Sequence, residues 1–184
     1  MASPSKEKQL LQIILENSPL KHWHFEELIE QTTLTRATLS KWLKKYQKLG
    51  LLKRIKERGK FPYYAAGSDN HIYQSKKRLY MLDKLYGSGL IQYLLSLKNA
   101  KTVIIFGSAA RGDWYKGSDI DIFIFGKQEK IEKYKYELAL KRNIELHIFE
   151  DKEEIKAVET GLIQNISNGF IVKGLLQDFA EVNI

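Results

Sequence analysis

Residues 102–125 read Thr-Val-Ile-Ile-Phe-Gly-Ser-Ala-Ala-Arg-Gly-Asp-Trp-Tyr-Lys-Gly-Ser-Asp-Ile-Asp-Ile-Phe-Ile-Phe, and the fold class turns on how this stretch divides. Thr102–Phe106 is short, apolar and β-branched, which predicts a buried strand. Gly107-Ser108 breaks it. Ala109-Ala110-Arg111 can start a helical turn. That turn would place backbone N–H groups and the Ser108 hydroxyl where an anionic phosphate can be held, with the Arg111 cation close by. The second apolar run alternates. Ile120, Ile122 and Ile124 face a core, while Asp119 and Asp121 share the other face, about 6.5–7 Å apart along the strand. Two ionised carboxylates this close raise one another's pKa unless a cation sits between them. Mg²⁺ is the usual cation where carboxylates meet phosphate oxygens. A Gly-Ser turn or an Asp-x-Asp pair says little alone. Both at short spacing, each attached to a strand, predict a phosphate-handling site.

The pattern Gly107-Ser108-x-x-Arg111-Gly112, five residues, then Ser118-Asp119-Ile120-Asp121 resembles the signature of the DNA polymerase beta-type nucleotidyltransferases. Within them it is most similar to the minimal nucleotidyltransferases of bacteria and archaea. The resemblance spans roughly residues 95–175. It implies nucleotidyl transfer from an NTP, ATP foremost, with two Mg²⁺ ions. Gly107, Ser108, Arg111 and Ser118 would bind the nucleotide, and Asp119 and Asp121 would ligate the metals. It also implies a third carboxylate on the strand after the intervening helix. The matching position is Glu145, in Ile144-Glu145-Leu146, as metal ligand and as the base at an acceptor hydroxyl. The family usually has Asp there, and the extra methylene moves the carboxylate by about 1–1.5 Å, which matters where geometry sets the rate. His147 shares the Glu145 face and is read as a structural residue.

The chain has 184 residues, 43% of them hydrophobic, enough for one or two small domains. Without cysteine there is no disulfide and no thiolate metal site. No apolar run approaches the ~20 residues of a membrane span, and residues 1–9 lack a signal-peptide apolar region. The expectation is a cytoplasmic protein with no membrane partner. The net charge of +8 is unevenly placed. Residues 32–67 hold ten Lys/Arg against the single acid Glu57, so the rest of the chain is close to neutral. That asymmetry predicts a local polyanion-binding face.

Ahead of that face, Lys6–Glu16 reads as an amphipathic helix, His24–Gln31 as a short one, and Arg36–Leu49 as a third with Thr35 as N-cap. Leu39, Trp42, Leu43 and Tyr46 should face the core. Gly50 stops the helix. Leu51–Ile55 and Phe61–Ala65 read as a hairpin around a basic turn. His22 and His24 have no matching ligands nearby and are read as surface or packing residues. Three helices and a basic hairpin resemble a winged helix-turn-helix. The resemblance implies that double-stranded DNA is met by Arg36, Ser40, Lys41, Lys44, Arg58 and Lys60. Asn70–Tyr86 is predicted as a connecting or dimerising helix with an Ile72, Leu79, Leu82, Leu85, Tyr86 stripe, and Leu90–Leu97 as another. Later come a helix over Lys130–Lys141 with Ile131, Tyr134, Leu138 and Ala139 packing, a strand over Asn143–Phe149, helical segments over Asp151–Glu159 and Gly161–Ser167, a strand within residues 169–174, and a short helix or frayed tail over 175–184.

The expected fold class is α+β: a winged helix domain over 1–67, a helical connector over 68–97 and a nucleotidyltransferase domain with a mixed sheet flanked by helices over 98–184. The leading functional expectation is a DNA-binding nucleotidyltransferase. Minimal members of the resembled family often act as antitoxins that modify a HEPN-type toxin partner, and a homodimer would suit paired DNA half-sites. Two other readings stand beside it: a transcription regulator whose transferase fold senses nucleotide without turnover, and an RNA- or small-molecule-modifying transferase.

Overall fold

The structure is a computed structural model that describes residues 6–127 and 130–180. Residues 1–5 and 128–129, and the end of the expected tail at 181–184, lie outside the described residues. The chain divides into two compact units, Met1–Lys77 and Arg78–Ile184.

In the first unit, α1 (Lys6–Glu16), β1 (His22–Trp23), α2 (Phe25–Gln31) and α3 (Arg36–Lys48) precede β2 (Leu52–Ile55) and β3 (Tyr63–Ala66). Thr35 caps α3, its side chain accepting the Thr38 N–H, which satisfies one of the donors a helix start leaves free. Leu10, Ile14, Trp23, Leu28, Leu39, Leu43 and Tyr46 form the buried interior. Trp42 is only half-buried; the Lys45 ammonium lies 4.5 Å over its ring. The hairpin's return strand starts at Tyr63 rather than Phe61, because Pro62 has no N–H to give a ladder and Phe61 is 85% exposed. The two-residue β1 is too short to leave a sequence pattern. It exists by pairing with β3, His22 opposite Ala65 and Trp23 opposite Tyr64, and completes an antiparallel sheet of order β1-β3-β2.

Helix α4 (His71–Gly87) leads to α5 (Leu90–Ser96), β4 (Thr102–Phe106), α6 (Gly107–Arg111), β5 (Ile120–Phe125), α7 (Tyr134–Leu140), β6 (Ile144–Phe149), α8 (Lys152–Lys156), α9 (Thr160–Ser167), β7 (Phe170–Lys173) and a 3₁₀ turn at Leu176–Asp178. The second unit's sheet has the order β6-β5-β4-β7. β4 runs antiparallel to β5 and β7, and β5 runs parallel to β6. It is a mixed sheet flanked by helices.

Both faces of the sheet are covered. Ile120, Ile122 and Ile124 pack into a core with Leu90, Ile91, Leu94, Tyr136 and Leu140. Ile104, Phe106, Phe123 and Phe125 form the opposite core with Ile155, Ile166 and Phe179. Along β5 only Asp121 escapes full burial.

Two helices depart from expectation. In α4 the buried positions are Tyr73, Lys77, Met81 and Leu85, while Ile72, Leu79 and Tyr86 of the expected stripe are exposed. Helix α7 starts at Tyr134 rather than Lys130. The Glu132 N–H donates to the Tyr93 hydroxyl at 2.9 Å, and the Ile131 carbonyl closes a tight turn with the Lys133 N–H, so neither group enters a helical ladder. Tyr134 and Leu138 consequently stay exposed, and Tyr136, stacked on Tyr93 at 5.1 Å, takes the core position.

Phe123→Ala empties the centre of the second core. Its cost should be about 3–5 kcal/mol, read as a lower urea midpoint for the second unit's transition at unchanged m-value.

Candidate active site

The site is built by strand register. β4 ends at Phe106, which pairs with Asp121. The next residue, Gly107, has φ +66°, a conformation that favours glycine. A Cβ there would overlap the Asp121 carboxylate. The glycine therefore lets the turn close directly over the acid. On the other side of β5, Asp121 pairs with Glu145 and Phe123 with His147. Residues two apart on a strand share a face, so Glu145 and His147 stand beside Asp121.

One ligand atom from each of Asp121, Glu145 and His147 lies within 4.8 Å of the other two. The His147 Nε2 is 3.6 Å from Glu145 Oε1. Glu145 is exposed, Asp121 and His147 are half-buried, and the His147 ring meets Phe106 edge-on at 5.1 Å. Burial pushes the Asp121 carboxyl above the usual carboxylate range. The Glu145 charge adds to the rise, His147 opposes it, Asp119 raises it further and Arg111 lowers it. A half-buried acid held against a second carboxylate is an arrangement that a cation relieves. Two carboxylate oxygens and an imidazole nitrogen in reach of one ion fit a divalent metal.

Asp119 sits elsewhere than expected. β5 begins at Ile120, so Asp119 is an exposed residue of the preceding loop, outside the three-residue cluster, although its charge is felt at Asp121. Ser118 is engaged in the same loop: its hydroxyl accepts the Tyr115 N–H at 2.9 Å, and its own N–H returns to the Tyr115 carbonyl at 2.9 Å. Arg142, 8% exposed, clamps that loop. It donates to the carbonyls of Tyr115 at 2.6 Å and Ser118 at 2.8 Å, and its guanidinium lies 4.8 Å over the Trp114 ring. Ser108 stands in the first turn of α6. Arg111, at the end of α6, donates to Asp113 at 3.1 Å and Asn165 at 2.8 Å, and its carbonyl accepts from Arg78 at 2.9 Å.

Gly107, Asp121 and Glu145 are thus brought together. Ser108 and Arg111 lie on the adjoining helix, and Ser118 and Asp119 on the loop. His147 and Arg142 are the residues that sequence reasoning missed. The alternation of β6 put His147 on the Glu145 face, but only the register with β5 sets it beside Asp121. Nothing in the sequence marks Arg142.

The basic segment of the first unit is less bare than its composition implied. Arg36 pairs with Glu26 at 2.6 Å, Lys45 with Glu7 at 3.1 Å, Lys53 with Asp69 at 2.6 Å and Lys60 with Glu57 at 2.6 Å. Three of those acids come from outside residues 32–67, so a count within that window could not include them. Lys41, Lys44 and Arg58 are exposed and Ser40 is half-buried.

Residues 88–178 match one family model. That model is of a nucleotidyltransferase domain and spans just under half of the chain. The matched segment contains the Gly107 turn, Asp121, Glu145, His147 and Arg142. The family generally uses an NTP and a divalent metal. No curated protein matches the chain. A crystal structure from Sulfolobus solfataricus, provisionally named a nucleotidyltransferase, is similar at 21% identity, covering 53% of this chain and 84% of its own, with a TM-score of 0.32, too low to bear on the fold. Among the described residues, no helix is long and apolar enough to cross a membrane.

The raised Asp121 pKa has a consequence for stability. The native state holds this proton more tightly than the unfolded chain, so the group's contribution favours folding below the unfolded value. It is lost as pH rises through the native value, above which the ionised Asp121 opposes folding. In chelator at pH 7, Asp121→Asn should therefore raise the melting temperature, by about 2–4 °C if the relief is about 1 kcal/mol. The advantage should shrink as pH falls toward 4. Gly107→Ala should lower it, since its Cβ meets the Asp121 carboxylate; thermal unfolding across pH measures both.

Proposed function

We propose that the second unit transfers a nucleoside monophosphate from an NTP, ATP foremost, to a hydroxyl acceptor. The observation that carries this reading is the register that stacks the Gly107 turn, Asp121 and Glu145 side by side, within a nucleotidyltransferase domain. Asp121 and Glu145 would hold divalent metal, Mg²⁺ being the usual ion in such chemistry, with Asp119 able to join from its loop. Metal bound there would neutralise phosphate charge.

The chain's own groups supply the rest. The Gly107 backbone and the hydroxyl of the adjacent Ser108 would hold the phosphates. Arg111 adds positive charge, oriented by Asn165. Glu145, exposed at the edge of the cluster, accepts the proton from the acceptor hydroxyl. The freed oxygen bonds the α-phosphorus as the bond to pyrophosphate breaks. Catalysis of this type is mostly positioning and charge stabilisation, and the Arg142 clamp on the 115–118 loop serves positioning.

For the first unit, the proposal is a winged helix that binds double-stranded DNA. Its support is the element order α1-β1-α2-α3-β2-β3 with its antiparallel sheet, and the exposed Lys41 and Lys44 on α3.

Wild-type protein given labelled ATP and a cell lysate should label a macromolecule or a small acceptor. Asp121→Asn and Glu145→Gln should each lower the rate on the order of 10²–10³. Whether the label enters protein, RNA or a small molecule identifies the acceptor class, a HEPN-type toxin partner among them. Unchanged labelling by both variants would sink the assignment. DNA affinity, measured by fluorescence anisotropy, should fall steeply with salt and drop for Lys41→Ala/Lys44→Ala; a flat salt response would remove the winged-helix reading.

A further inference from the structure

The cluster at the head of the sheet is not made of carboxylates alone. We propose that His147 is a metal ligand, and that its nitrogen turns the site's preference from Mg²⁺ toward a first-row transition ion, Mn²⁺ foremost. The inference rests on the nucleotidyl-transfer reading and narrows its cofactor.

The geometry favours a shared ion. The 3.6 Å between His147 Nε2 and Glu145 Oε1 is too long for a hydrogen bond. It is near the spacing of two ligands on one metal: bonds of about 2.1 Å put neighbouring ligands ~3.0 Å apart in an octahedron and ~3.4 Å in a tetrahedron. Asp121 completes the set within 4.8 Å. The imidazole is placed by register rather than by a flexible stem, since Phe123 pairs with His147 and Phe106 meets the ring edge-on at 5.1 Å. Its side chain is 22% exposed, so it is shielded yet reachable.

The donor set then argues for the ion. Mg²⁺ is hard, takes oxygen and keeps its waters, whereas a first-row transition ion such as Mn²⁺ shares its liking for carboxylate oxygen and accepts an imidazole nitrogen more readily. Two carboxylates and one imidazole, joined by phosphate oxygens that a nucleotide would bring, match Mn²⁺, which accepts both donor types. Asp119, in its exposed loop, lies outside this set of described residues.

The test uses tag-free full-length protein and metal alone. Loss of the aqueous Mn²⁺ electron paramagnetic resonance signal gives Mn²⁺ affinity, and competition gives that of Mg²⁺. Electron spin-echo envelope modulation detects nitrogen bound to Mn²⁺. Wild type should bind Mn²⁺ at least tenfold tighter than Mg²⁺ and show imidazole nitrogen modulation. His147→Gln should abolish the modulation and weaken Mn²⁺ by about 10–100-fold, with Mg²⁺ changed less than threefold. His147→Asn, with circular dichroism of both variants, excludes misfolding as the cause. Absent modulation in wild type, or equal loss of both ions in the variants, overturns the assignment of His147. If that happens while Asp121→Asn and Glu145→Gln still abolish binding of both ions, the metal site stands and only the histidine falls. If wild type binds neither ion, the metal-dependent transfer reading falls with it.

Discussion

The register of three adjacent strands is the constraint on which the site depends. β4 is antiparallel to β5, so the turn that ends β4 arrives at the start of β5, and Gly107 meets Asp121. β6 is parallel to β5, so its own start lies at the same end, and Glu145 falls opposite Asp121. A one-residue slip would turn Glu145 and His147 to the opposite face, among Leu90, Ile91 and Tyr136. What prevents the slip is burial on both faces: isoleucines on one side and phenylalanines on the other cannot be exchanged without repacking two cores.

That same burial explains the tension at Asp121. A carboxylate on a strand buried on both faces loses hydration, and it faces Glu145 besides. Folding alone has no use for such a group. Strain of this sort collects where a protein binds or reacts, and it ties the sheet's packing to the candidate site. Around this centre, supporting parts keep the approach ordered: Arg142 gathers the carbonyls of the loop bearing Asp119, and Asn165 holds Arg111.

Electrostatics at the first unit follow a different logic. Its cations are on the surface, where ion pairs contribute little to stability and are screened by salt. Pairing of Arg36, Lys45, Lys53 and Lys60 with acids leaves a face less positive than the sequence window implied. Lys41, Lys44 and Arg58 remain exposed.

Much of this was legible in the order of residues. Alternation in Ile120–Phe125 and Ile144–Phe149, the Thr35 cap and the Gly107-Ser108 break are local signals, and local signals mark elements because backbone sterics and side-chain period act within a few residues. Gly107 and Asp121 were recognisable for the same reason, whereas Glu145 was reached through the family resemblance. What only the tertiary structure decided depends on contacts between distant segments. The strand at His22–Trp23 exists only by pairing with β3. Helix α7 starts late because of Tyr93, about forty residues earlier. Asp119 falls just before β5, and His147 stands beside the acids because register rather than sequence distance determines which side chains meet. Arg142 became a clamp because loop carbonyls needed a buried donor.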